Sequence, residues 1–104
     1  MKHKTKFQKQ VFKIVKKIPR GKVMTYSEIA RKSGYPKAWR AVGNILNKNK
    51  DSKIPCHRVI RFDGEIGGYN LGKEKKLILL RKEGIEIKRR KKSRFFCYLS
   101  PKIN

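Results

Sequence analysis

The chain has 104 residues, enough for one domain with one modest core, and its 38% hydrophobic content at regular spacing excludes general disorder. Its 30 lysines and arginines against 7 acids leave a net charge of +23, which repels itself unless a polyanion takes it up, so nucleic acid is the expected partner. No apolar run has spanning length and the stretch from Met1 to Lys6 is polar, so no membrane role is expected and the protein is expected to be intracellular, in the cytoplasm.

Thr5 and Gln8 have the form of a capping box, and Phe7, Val11, Ile14, Val15 and Ile18 follow at helical spacing until Pro19-Arg20-Gly21 ends the element. Thr25 and Glu28 form a second capping box, opening a short helix with Ile29 and Ala30 that stops at Gly34. Pro36 is then placed to open a third helix. Ala38, Ala41, Val42, Ile45 and Leu46 make its apolar face, and Lys37, Arg40, Asn44 and Asn47 lie opposite. Two short helices joined by a tight turn, the second with a cationic and amide-bearing outer face, have the outline of a helix-turn-helix. Arginine and asparagine offer planar donors to bases and phosphates, Gly43 lets a backbone approach, and no acid occurs between Arg31 and Lys50.

Lys48 to Lys53 is a polar loop leading into Ile54-Pro55-Cys56-His57-Arg58-Val59-Ile60. A proline that blocks helix continuation presents a thiol beside a histidine, and His57, Arg58 and Arg61 are the neighbours expected to favour the thiolate. Arg61 to Glu65 reads as a turn between short extended pieces. Gly67 to Gly72 is a glycine-rich loop, either a flexible connection or a pocket wall. Lys73 to Glu83 reads as a last helix burying Leu77, Ile78 and Leu80 and ended by Gly84. Glu83 in its last turn opposes the helix dipole, which marks it as either a functional carboxylate or an ion-pair partner of Arg81 or Lys82.

From Lys88 the chain becomes a like-charge block, Lys88-Arg89-Arg90-Lys91-Lys92 with Arg94, which reads as a basic tail over 88–104 that tracks phosphates. Phe95 to Leu99 is apolar enough to dock on the body. All 7 acids and 23 of the 30 bases precede residue 88, so the body at 1–87 carries +16 without the tail. The two cysteines are expected to be reduced, with Cys97 structural or incidental. His3, Cys56, His57 and Cys97 fit no zinc spacing, so no metal is expected.

Taken together, Arg40-Ala41-Val42-Gly43, Pro55-Cys56-His57-Arg58-Val59, Gly67-Gly68-Tyr69 and the Leu-Leu-x-x-Glu-Gly segment ending at Gly84 closely resemble the O6-alkylguanine-DNA alkyltransferase family, over about Phe7 to Ile87. The fold expected on both grounds is mainly α, a small winged-helix-like or helix-turn-helix domain with short extended pieces around Cys56. The resemblance implies a single irreversible transfer of an alkyl group from guanine O6 in double-stranded DNA to Cys56, activated by His57 and Glu83. It implies that Tyr26 helps rotate the target nucleotide and that Arg40 fills the space the base leaves, with Ala41, Gly43 and Asn44 extending the DNA contact. Asn49 is implied to brace the reactive turn, and Val59, Gly67, Tyr69 and Asn70 to form the guanine pocket. No cofactor is implied and a monomer is expected. Larger relatives carry a further N-terminal domain, so the chain is expected to be the catalytic C-terminal domain only. Trp39 stands where a small residue is common. Two alternatives are a lesion-binding protein without transfer, whose relatives carry another residue at the cysteine position, and an inert basic DNA-binding domain.

Overall fold

The computed structural model describes residues 5–90 and 94–97. His3, the basic pair at 91–92 and the apolar residues 98–99 lie outside the described residues. Four helices, α1 (Lys6–Lys16), α2 (Tyr26–Lys32), α3 (Trp39–Asn47) and α4 (Lys73–Lys82), are joined by four short strands, β1 (Met24–Thr25), β2 (Val59–Ile60), β3 (Ile87–Arg89) and β4 (Phe95–Cys97). Both expected capping boxes are formed: Thr5 with Gln8 opens α1 and Thr25 with Glu28 opens α2. The α2 helix ends at Gly34, and α2 packs on α3 as a helix-turn-helix requires. The fold is thus mainly helical, as the residue pattern indicated.

The start of α3 differs from expectation. Pro36 lies in a turn in which the Tyr35 carbonyl accepts from the Ala38 amide, so the helix begins at Trp39 with Ala38 as its cap. Val42 and Leu46 are buried on its inner face, whereas Arg40, Asn44 and Asn47 are exposed. A first core cluster gathers Val11 and Val15 of α1, Ile29 and Ala30 of α2, Val42 and Leu46 of α3, and Cys56 and Val59. The reactive turn is therefore built onto the helical core.

A second cluster joins Val23, Ile60, Ile66, Leu80, Ile87 and Cys97. It is sealed by the antiparallel β3–β4 pair, in which Ile87 faces Cys97, and by a bridge from Glu65 to Phe96. The division expected at residue 87 falls inside this hairpin. Residues 87–89 and 95–97 belong to the packed body, because Cys97 and Ile87 supply apolar surface that the second cluster buries. The docking expected of Phe95 and its neighbours is seen for Phe95–Cys97.

In α4 the expected buried set needs correction. Leu80 is fully buried, but Ile78 is 59% exposed and Lys76 is wholly buried. At ~100° per residue, position 78 lies about 200° from both 76 and 80, so a helix that buries Leu80 turns Ile78 to solvent and Lys76 inward. Residue type suggested the opposite of what the helical angle imposes. Leu80→Ala should accordingly lower the unfolding free energy by ~2–5 kcal/mol and Ile78→Ala by no more than ~0.5 kcal/mol, read from urea titrations; equal losses would contradict this orientation.

Candidate active site

Cys56, His57 and Arg58 form one 3₁₀ turn that runs directly into β2. Pro55 cannot donate into a helix, and its carbonyl instead accepts from the Arg58 amide at 3.0 Å while the Cys56 amide donates back to Ile54 at 2.8 Å. Parallel pairing of β1 with β2, Met24 against Val59 and Thr25 against Ile60, ties this turn to the strand that leads into Tyr26. Two residues distant in sequence are thereby fixed side by side in the fold.

Asn49 braces the turn from the preceding loop. Its Nδ2 donates to Cys56 Sγ at 3.3 Å and to the Asp51 carbonyl at 3.0 Å, and its Oδ1 accepts from the Asp51 amide at 3.1 Å. Asn70 in turn donates from Nδ2 to the Asn49 carbonyl. The thiol, its hydrogen-bond donor and the glycine-rich loop are thus linked through two asparagine side chains.

Behind the turn stands Glu83, the C-cap of α4. Gly84 follows at φ +88, and its amide and that of Ile85 close the helix onto Arg81 and Leu80. That left-handed position suits glycine and points Glu83 back toward the turn. Its Oε2 pairs with His57 Nε2 at 2.8 Å, and Arg58 donates to both oxygens, Nε to Oε1 and Nη2 to Oε2, each at 2.9 Å. Arg58 Nη1 also donates to the Ile18 carbonyl at 2.8 Å. The Glu83 side chain is only 7% exposed. Burial pushes its carboxyl up, but hydrogen bonds from Arg58 and His57 and their charge outweigh this and hold it down at about 2. The dipole violation noted in sequence is therefore offset by Arg58 and His57, and neither Arg81 nor Lys82 is the partner. An Nε2–H given to Glu83 leaves Nδ1 as the basic nitrogen of the ring.

The thiol departs from expectation. Burial pushes Cys56 upward, opposed by the Asn49 hydrogen bond and the charge of Lys76. Arg58 is committed to Glu83, and Arg61 is turned to Glu65 at 3.6 Å, so neither acts as the expected thiolate partner. Lys76 does, and the sequence reading missed it. Its Nζ donates to the Val59 carbonyl at 2.7 Å and the Gly68 carbonyl at 3.0 Å, and lies 5.9 Å from the Tyr26 ring centre. Burial lowers it to about 7, against the pull of Cys97, Cys56 and Glu65. The available signal was geometric: Lys76 is one helical turn before Leu80, on the buried stripe.

Tyr26, Gly43, Leu46, Asn47, Cys56, Gly68, Tyr69 and Asn70 line a cleft of about 210 Å³. Cys56 and the predicted Tyr26, Tyr69, Asn70 and Gly43 meet here, and burial raises the phenols of Tyr26 and Tyr69. Two predicted pocket residues do not line it. Val59 is wholly buried in the first core cluster, and Gly67, at φ +73, has space for a Cβ only 3.1 Å from Arg61 Cγ, so it shapes the loop from behind. Gly68, Leu46 and Asn47 take their places. A larger opening of about 730 Å³ shares Cys56, Tyr69 and Asn70 with this cleft and is lined also by His57, Arg58 and Asn49. Arg40 and Asn44 are exposed on the outer face of α3, with Ala41 half-buried between them.

A buried thiol thus lies beneath a cleft, backed by a histidine–carboxylate pair and set against two helices packed as in a helix-turn-helix. The family profile described as "6-O-methylguanine DNA methyltransferase, DNA binding domain" matches residues 6–85, and the chain belongs to that family. A methylated-DNA–protein-cysteine methyltransferase of Methanosarcina acetivorans is 49% identical over 81 residues, covering 77% of this chain and 52% of that protein. The fold is similar to Schizosaccharomyces pombe Atl1 in complex with damaged DNA containing O6-carboxymethylguanine, at a TM-score of 0.82 and 33% identity over 92% of this chain and 91% of that one. It is also similar to Mycobacterium tuberculosis OGT in complex with DNA, at a TM-score of 0.73 and 41% identity over 78% of this chain and 51% of that one. The chain spans about half the length of the curated relative and of OGT.

Two outcomes test the electrostatics. Glu83→Gln should destabilise the protein at neutral pH by on the order of 3 kcal/mol. Because folding lowers this carboxyl from 4.5 to about 2, the difference from wild type should shrink as pH falls through that interval, followed by urea unfolding. Lys76 has the other dependence. Folding lowers it from 10.5 to about 7, so its penalty is full below 7 and stability from this group grows as pH rises above it. Between about pH 7 and 8.5, below the main thiol titration, wild type should gain on Lys76→Met by up to ~1.4 kcal/mol per pH unit. A difference that does not change with pH would mean that the folded amine stays charged.

Proposed function

We propose that this chain removes an alkyl group from O6-alkylguanine in double-stranded DNA by transferring it once and irreversibly to Cys56. The observation that carries the reading is that Cys56, Tyr26, Tyr69 and Asn70 line one cleft against α3, at the Gly43–Asn47 face of a helix whose outer side bears Arg40. An alkyl group on O6 lies inside the duplex, so the base must leave the stack to reach a buried thiol, at a cost of a few kcal/mol. Tyr26 guides the nucleotide at the cleft wall, Arg40 occupies the vacated space, and Ala41, Gly43 and Asn44 continue the DNA contact. Tyr69 and Asn70 receive the base.

In the transfer the Cys56 sulfur forms a bond to the alkyl carbon as the bond from that carbon to O6 breaks. The electron pair stays on the guanine, which takes up the proton that the thiol gives up, so the balance requires no cofactor. His57, held by Glu83, is the proton carrier, and Asn49 steadies the sulfur. A thioether has no easy route back to thiol, which makes the protein single-use.

The acceptor portion in this reading is residues 1–87 together with the β3–β4 hairpin packed on it, corresponding to the catalytic part of longer relatives, and the basic residues within 88–104 add charge that tracks phosphates. The protein acts as a monomer, inside the cell and on DNA; no helix among the described residues is long and apolar enough to cross a membrane. The likeness of the fold to Atl1 in complex with damaged DNA favours a second reading, lesion binding without transfer. Cys56 distinguishes this chain from the alkyltransferase-like pattern set out above. Incubation with duplex carrying radiolabelled O6-methylguanine should put one label on each chain, at Cys56 by peptide mapping, and Cys56→Ala should take none. An unlabelled wild type that still prefers the lesion over matched duplex would establish the second reading instead.

A further inference from the structure

Among the described residues five large apolar side chains are exposed, Tyr35, Trp39, Phe62, Leu71 and Ile78, and Trp39 differs from the rest in where it stands. It is the first residue of α3 and 46% exposed, and among the described residues no aromatic ring or cation packs on its indole. Residues four apart on a helix share a face, so Trp39, Gly43 and Asn47 form one stripe. Gly43 and Asn47 line the cleft above Cys56, which puts Trp39 one turn outward along the same line. A helical side chain leans toward the N-terminus, so the indole leans away from the cleft rather than into it. Arg40 and Lys37, both exposed, flank it with positive charge.

We propose that Trp39 is a DNA-contacting residue whose indole stacks on the nucleotide next to the one the cleft receives. The inference rests on the base-extrusion reading above and adds a residue to it. Removing a base from a duplex leaves its neighbour with an unstacked apolar face. Arg40 brings charge to the gap, and a broad aromatic plane beside it replaces the lost stacking, because every base offers a π-face to an aromatic ring.

Trp39 is the single tryptophan of the chain, so its fluorescence reports on itself. The full chain is titrated with duplexes that do or do not contain one O6-methylguanine, and W39A and W39F are compared for affinity and for rate of label transfer. Indole emission should change on binding the lesion duplex. W39A should lose on the order of tenfold in affinity for it, and W39F should keep most of it because a ring remains. Unchanged emission at saturation, or W39A binding as tightly as wild type, overturns the proposal. Wild type that binds with altered emission but never acquires the label overturns the transfer reading and upholds this one. Label transfer with unaltered emission does the reverse, and a chain that binds neither duplex overturns both.

Discussion

The grip of His57 and Arg58 on the Glu83 carboxylate is the constraint on which the site depends. It joins three separate parts of the chain: the end of α4, the turn that carries Cys56 and, through Arg58 to the Ile18 carbonyl, the end of α1. An isolated carboxylate at a helix C-terminus is disfavoured by the dipole and again by burial. Here it is met by a planar guanidinium with matching geometry, which can bind both oxygens while a lysine would offer a point charge. Arg58 thus does the structural work and leaves His57 with one nitrogen bound and one open. The histidine is oriented by an anion whose charge has already been balanced.

Burial and reactivity pull in opposite directions at Cys56. A desolvated thiol holds its proton, so sequestering the sulfur in the core makes it a poorer nucleophile. Two neighbours work against this penalty. Asn49 donates to Sγ, and Lys76 offers a charge that is itself only partly retained, because the same burial lowers its pKa to about 7. The lysine also holds the Val59 and Gly68 carbonyls, one on β2 and one on the cleft wall. A residue that fixes the shape of the cleft therefore shares its proton balance with the thiol, and neither duty can be altered without the other.

Much of the local structure was legible because it rests on short-range chemistry. Thr5 with Gln8, Thr25 with Glu28 and the stop at Gly34 are caps and turns whose residues interact within a few positions, and all appear where expected. The pairing of His57 with Glu83 came from resemblance to a family. What could not be read was angular or long-range. Arg58 looked like a cation beside a thiol until the fold placed it against α4, and Lys76 carried no expectation although the helical angle turns it inward. Val59, assigned to a pocket, is core because β2 pairs with β1 and buries both of its side chains. The β3–β4 hairpin was hidden by the basic residues around it, since charge density marked as tail, from Lys88, a segment whose Cys97 returns to pair with Ile87 and complete a core.

The few acids of this chain are placed so that binding and chemistry draw on different charges. Of 7 carboxylates, Glu83 neutralises Arg58 inside the site, and buried Glu65 stands within 4 Å of Arg61, Lys73 and Arg94 at the base of the hairpin. Arg58, Arg61, Lys73 and Arg94 are thus paired with carboxylates, and buried Lys76 is held by two carbonyls, so these cations serve position rather than attraction. Attraction falls to the exposed lysines and arginines over the rest of the surface, where a polyanion is met through many weak, salt-screened contacts. A polyanion can then be held along a broad face without its phosphates competing for the groups that orient His57. That separation lets a chain with net charge +23 keep a buried site whose proton positions are set locally, by one carboxylate, one amide and one lysine, instead of by the field of the whole molecule.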